Sequence, residues 1–103
     1  MPISPGDDLE PLMTGTGWSA TQGGVDAAKV NLYADEMARG SWQWLPLNRR
    51  NPILIDQSGK IMSGHHRLIA VRIAGVTVPE AALQHLPGAT SRPSTSWQDV
   101  VVR

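Results

Sequence analysis

Residues 61–75 read IMSGHHRLIAVRIAG: a serine and a glycine, two adjacent histidines and an arginine, then a run whose apolar residues recur at helical spacing. If that run is a helix, Ser63, Gly64, His65, His66 and Arg67 fall at its start, where several backbone N–H groups have no partner within the helix. Such an end attracts anions, because the unpaired amides and the positive end of the helix dipole point the same way and small residues let a ligand approach the backbone. Arg67 adds a guanidinium able to hold a phosphate oxygen pair, and imidazole titrates near neutrality, where a proton can be moved. The set reads as a site for a phosphoryl or phosphodiester group. The plainer alternative is that Ser63 caps the helix while the histidines and arginine face water. Adjacent helical side chains point about 100° apart, so the two imidazoles suit two tasks better than one shared metal, and spacing assigns no metal ligand.

The elements that must position this set follow from pattern and punctuation. Val25, Ala28, Val30, Leu32, Tyr33, Met37 and Ala38 recur near every third or fourth position, which predicts a helix over 26–39 with Asp26 at its start and Gly40 past its end. The stretch SWQWLPLNRRNP is a connection, since Pro46 and Pro52 prevent regular continuation. Residues 52–62 predict a β-hairpin turning at Gln57-Ser58-Gly59, and residues 65–74 the helix that carries the site, ended by Gly75. Pro79 opens a third, shorter helix to Leu86, and WQDVVVR is a terminal strand expected to pair beside the hairpin. Residues 1–17, rich in Pro, Gly and Ser/Thr, read as a flexible tether, and 18–103 as one folded domain. The fold class is α+β.

Outlying residues carry weaker signals. Arg49 and Arg50 sit in the loop before the first hairpin strand, where they would steer phosphate. Of Trp42 and Trp44, alternating in the same loop, one would pack inward and the other, taken as Trp44, would stack on a base. Trp18 and Trp97 read as core anchors, Asp56 as a turn residue at a strand end, and His85 as a surface residue on the short third helix.

Composition narrows the classes. A chain of 103 residues with no cysteine has neither disulfides nor a thiolate nucleophile nor thiolate zinc ligands. No apolar stretch approaches the roughly 20 residues of a membrane span, and the chain reads as a soluble monomer. Formal net charge is zero, but residues 1–36 hold six acids and one base while residues 37–103 hold eight bases and three acids. That segregation suits a basic face that meets phosphate, whereas the neutral total argues against a protein that coats nucleic acid through bulk charge.

The stretch NPILIDQSGKIMSGHHRLIAVRIAGVTVPE, residues 51–80, resembles the ParB/sulfiredoxin-like superfamily. There a Pro-Ile/Val strand, a glycine turn, a second short strand and a Gly-x-x-Arg signature lead into a helix ending in Ala-Gly. The resemblance implies a small fold of that type, with a short mixed sheet, a hairpin leading into a phosphate-binding helix and two or three further helices. His65 stands where sulfiredoxins place a catalytic cysteine, which excludes sulfinic-acid reduction. Chromosome-partitioning members have Glu-Arg-Arg after the glycine and a helix-turn-helix domain for which this chain has no room. The Gly-His-His-Arg form is similar to ParB-like nuclease domains of bacterial polymorphic toxins of the Rhs and contact-dependent inhibition types. Those often carry Asp before the glycine, where this chain has Ser63, so a mechanism needing a carboxylate there finds none.

What the resemblance implies is a delivered toxin effector that acts in the target-cell cytoplasm, cleaves nucleic acid, DNA rather than RNA, and is neutralised by a cognate immunity protein. His66 matches the histidine shared with the sulfiredoxin signature and would be the acid or base, with His65 supporting binding and Arg67 stabilising the phosphorane. Mg²⁺ or Mn²⁺ is the cofactor of that reading. Glu36 would act as base or metal ligand if its helix crosses the mouth of the site, as a helical glutamate does in related phosphotransferases; by sequence alone it is a solvated charge. Two other readings stand beside it: an ATP-using hydrolase or phosphotransferase, and a nucleotide- or nucleic-acid-binding module whose histidines bind without catalysing.

Overall fold

The computed structural model describes residues 2–44 and 52–103. The fold is α+β. Its centre is a hairpin of β1 (Ile53–Ile55) and β2 (Ile61–Ser63), antiparallel with Leu54 opposite Ser63 and Ile55 opposite Ile61. A register shift between Leu54 and Ile55 marks a bulge. β-Branched residues at alternating positions favour this pleated, half-buried arrangement, and Ile53, Ile55 and Ile61 all point into the core.

The turn between the strands is held by Asp56. Its Oδ1 accepts from Ser58 N (2.9 Å), Ser58 Oγ (2.8 Å) and Lys60 N (2.9 Å), and its Oδ2 from Thr90 N (2.9 Å) and Thr90 Oγ1 (3.0 Å). The residue is 3% exposed, and burial alone would raise its carboxyl. The bonds from Thr90, Ser58 and Lys60 outweigh that cost and hold it well below the usual carboxylate range. Asp56 is the turn residue that its position suggested, and it also ties the distant loop at Thr90 to the hairpin.

Two longer helices share the core with the sheet. Helix α1 (Ala27–Ala38) is capped by Asp26, whose carboxylate accepts from Ala28 N and Lys29 N at 2.9 and 3.3 Å. Helix α2 (His65–Ala74) follows β2 after one residue. The two helices pack together, with Val30, Ala34 and Met37 of α1 and Leu68, Ile69 and Val71 of α2 buried. Fully removing a side chain such as Leu68 or Ile69 from water stabilises the fold by about 1.5–3 kcal/mol.

Three expectations need correction. The third helix shrinks to one 3₁₀ turn, Glu80–Ala82, and Leu83–His85 becomes a strand, β3, running parallel to β1 with Ile53 opposite Leu83 and Ile55 opposite His85. The open edge of β1 supplies ladder bonds that local helix propensity cannot match. The strand order is therefore β2-β1-β3, the short mixed sheet that was expected. His85 is exposed there, 3.3 Å from Glu80.

The terminal segment forms a second 3₁₀ turn, Trp97–Asp99, and then β4 (Val101–Val102), which pairs in parallel with β5 (Gly24–Val25) and not with the hairpin. Both hairpin edges are already occupied: β3 takes one, and Ser19 bridges the other, donating its amide to Gly59 O and accepting from Ile61 N.

Residues 2–17 are no tether. Leu9 and Met13, one helical turn apart at the ends of a short helix (Glu10–Met13), are fully buried. Asn31 brackets Ile3 with two bonds of 2.9 and 2.7 Å, and Arg72 Nε donates to Leu12 O at 3.1 Å. Trp97 is the core anchor that was expected, its indole N–H donating to Trp18 O at 2.9 Å. Among the described residues no helix is long and apolar enough to cross a membrane.

Candidate functional site

Helix α2 can begin directly against the sheet because residue 64 is glycine. Gly64 occupies the cap position with φ 103°, a left-handed conformation that side chains rarely adopt, and a Cβ there would sit 3.0 Å from Ile53 Cγ1. Glycine brings no capping oxygen, and Ser63, the cap of the plainer alternative, lies one residue too early, at the end of β2. The first intrahelical bond runs from Leu68 N to Gly64 O (3.0 Å), so the amides of His65, His66 and Arg67 precede the ladder.

A cleft of about 490 Å³ opens at this helix end. Its floor is Ser63, Gly64 and the first turn of α2, Lys29 and Tyr33 of α1 form one wall, and Trp42 and Trp44 form another. The ammonium of Lys29 lies 5.8 Å from the centre of the Tyr33 ring. Trp42 packs at 4.8 Å and 53° on Tyr33 and edge-on, at 5.7 Å and 76°, against Trp44, so both half-buried tryptophans join the wall where one inward and one outward had been expected. The shielded indole N–H of Trp42 has no acceptor among the described residues.

The imidazoles do something that sequence did not suggest. His65 Nε2 accepts from Thr21 N at 3.0 Å, and His66 Nε2 accepts from Asp26 N at 3.1 Å. Thr21 is itself fixed by its hydroxyl, which donates to Ile61 O at 2.6 Å. The segment 21–26 is thus strapped to the start of α2 through two neighbouring rings. Acceptance at Nε2 leaves the proton of each neutral ring on Nδ1. His65, 4% exposed, is pushed down to about 4 by burial and by the charges of His66 and Arg92. His66 is lowered by burial and by Lys29, against an opposing pull from Asp26. Both rings are therefore neutral near pH 7, and the Nε2 lone pair that an acid or base at His66 would use is already engaged.

Arg67 reaches toward Pro52 O at 3.5 Å, the long limit of a hydrogen bond. Burial draws its guanidinium down from the usual value while Tyr33 supports the charge. Glu36 is half-buried and contributes no lining to the cleft; its carbonyl instead accepts from Ser41 N (2.9 Å) and Trp42 N (3.1 Å), turning the chain so that the tryptophans face the site. Arg49 and Arg50 lie outside the described residues. Sequence reasoning missed Lys29 and Tyr33, which a helical wheel places on the same face as Glu36, and missed Thr21 and Asp26, whose backbone amides leave no sequence signal.

The cleft lining is cationic, aromatic and amide-bearing, with no carboxylate among its described residues, and no group of three or more His, Asp or Glu side chains elsewhere among them could hold a metal ion. Mg²⁺ and Mn²⁺ favour carboxylate and water oxygens, so these residues do not form a donor set for either. Compared with models of protein families, with curated proteins and with solved structures, the chain finds no match.

Proposed function

We propose that this chain binds a nucleic-acid phosphodiester at the amino end of α2 and cleaves it, as a ParB-like nuclease effector of a bacterial toxin, with DNA the preferred substrate. One observation carries the reading: Lys29, Arg67 and the uncapped first turn of α2 converge on a single cleft walled by tryptophan. The two cations and the amides would neutralise charge that grows on the phosphorane, in a partly desolvated site where such charges act strongly. His66, neutral and protonated on Nδ1, would add a hydrogen bond to a phosphate oxygen.

A second reading gains from the same geometry. With both Nε2 lone pairs engaged, neither imidazole can take a proton from an attacking water, which is what a module that binds without cutting would display. Plasmid and a single-stranded oligonucleotide incubated with the purified chain, with and without Mg²⁺ or Mn²⁺, separate them: cleavage of either that Arg67→Ala abolishes supports the nuclease, and retention of both intact supports the module. Phosphate release from ATP with plasmid intact would move the assignment to the phosphotransferase class. In the toxin reading a cognate immunity protein covers this cleft, and its co-expression should restore growth to cells making the wild-type chain.

A further inference from the structure

The two ways of contacting nucleic acid, by phosphate and by base, are unequally represented in the cleft. Among its described residues the cations are Lys29 and Arg67, while Tyr33, Trp42 and Trp44 supply three aromatic rings. Duplex-binding proteins draw non-specific affinity from many phosphate contacts, on the order of 6–10. Among the described residues of the cleft two cations offer that source, in a chain of zero net charge. Stacking remains, and each base stacked on an aromatic ring strengthens binding about 5- to 100-fold.

Stacking needs a free base face. In a duplex those faces are buried against neighbouring pairs, and turning one base out costs a few kcal/mol. The volume of about 490 Å³ is that of a site for one small ligand, with no room for a base stack. Trp44 is half-buried and meets Trp42 in a T-shaped contact at 5.7 Å and 76°.

Building on the phosphodiester reading above, we infer that the cleft takes one unstacked nucleoside phosphate unit of a single strand, its base against Trp44 and its phosphate between Lys29 and Arg67, and that intact duplex is not its preferred ligand.

Fluorescence anisotropy on the full chain tests this, with one labelled oligonucleotide offered single-stranded and annealed, and with ATP as competitor. The single strand should bind at least about tenfold tighter than the duplex, and its log affinity should fall with log salt at a slope near −0.7, the value for one neutralised phosphate on a single strand. Trp44→Ala should weaken single-strand binding about 5- to 100-fold, and by more than it weakens duplex binding. Trp44→Leu, which keeps apolar bulk, serves as a second variant, with circular dichroism verifying that both fold. Equal or tighter binding of duplex, or unchanged single-strand affinity in folded Trp44 variants, overturns the inference while leaving the phosphodiester reading in place. Competition by ATP at lower concentration than the oligonucleotide overturns it in favour of free nucleotides. Absence of binding to any of the three sinks the phosphodiester reading as well.

Discussion

Among the described residues the buried polar side chains lie at the turn of Asp56 and at the amino end of α2, and the two places are finished to different degrees. At Asp56 a carboxylate is surrounded by five donors from three residues. At the helix end a first turn has no side-chain cap, and an indole N–H has no acceptor among the described residues. Burying a polar group unpaired costs free energy, so a completed network and an incomplete one signify different uses. The first holds two distant loops in one place. The second leaves hydrogen-bonding capacity for a molecule from outside.

The sharpest break in that comparison comes from exchanging the effects. Arg67→Ala should lower cleavage, or ligand affinity if the chain does not cut, by about 10²–10³-fold, the usual loss when one group that stabilises charge is removed. Its thermal midpoint should stay near wild type. Asp56→Ala should do the reverse, lowering the thermal midpoint more than any substitution in the cleft while the protein that remains folded keeps its activity. A common loss of both properties in either variant would show that the two regions are one cooperative unit.

Gly64→Ala sits between them, because Gly64 serves both the packing and the site. Its left-handed φ and the 3.0 Å approach to Ile53 should make alanine destabilising by about 1–3 kcal/mol, measured by urea unfolding. The first turn of α2 should shift with it, so ligand affinity should fall in the same variant. Unchanged affinity would mean that the helix end is not where the ligand's phosphate sits.

What sequence could show divides along the same line. The hairpin, α1 and α2 are local: the turn at Gln57-Ser58-Gly59, the Asp26 cap and the Gly64 and Gly75 boundaries lie within a few residues of what they shape. Three features set by distant partners were not legible. β3 exists because β1 had an open edge, β4 pairs with β5 because the hairpin edges were taken, and Leu9 and Met13 are ordered by a core assembled from later residues. The site shows the same division. Ser63 to Arg67 were visible as a consecutive run, whereas Lys29, Tyr33 and the amides of Thr21 and Asp26 reach them only through the α1–α2 packing.

Those two amides set the smallest effect and the most diagnostic one. An imidazole that accepts a backbone N–H at Nε2 must lose that bond when protonated, and His65, His66, Lys29, Arg67 and Arg92 would then crowd positive charge at one helix end, opposed by the Asp26 carboxylate beside His66. The folded pKa of His65, about 4, lies below the ordinary 6.5, so between these values the unfolded chain binds the proton and the folded one does not. Stability from this group is complete above about pH 6.5, declines as pH falls toward 4, and amounts to roughly 1–2 kcal/mol once screening is allowed for. Asp56 titrates well below that window and does not obscure it. His65→Gln keeps an acceptor for Thr21 without a titrating proton, and its unfolding free energy should decline less between pH 6.5 and 4 than that of wild type, keeping the part that His66 contributes. If wild type and His65→Gln change in parallel across that range, or NMR titration places His65 near 6.5, the ring is not the buried acceptor described and the strap over residues 21–26 is held some other way.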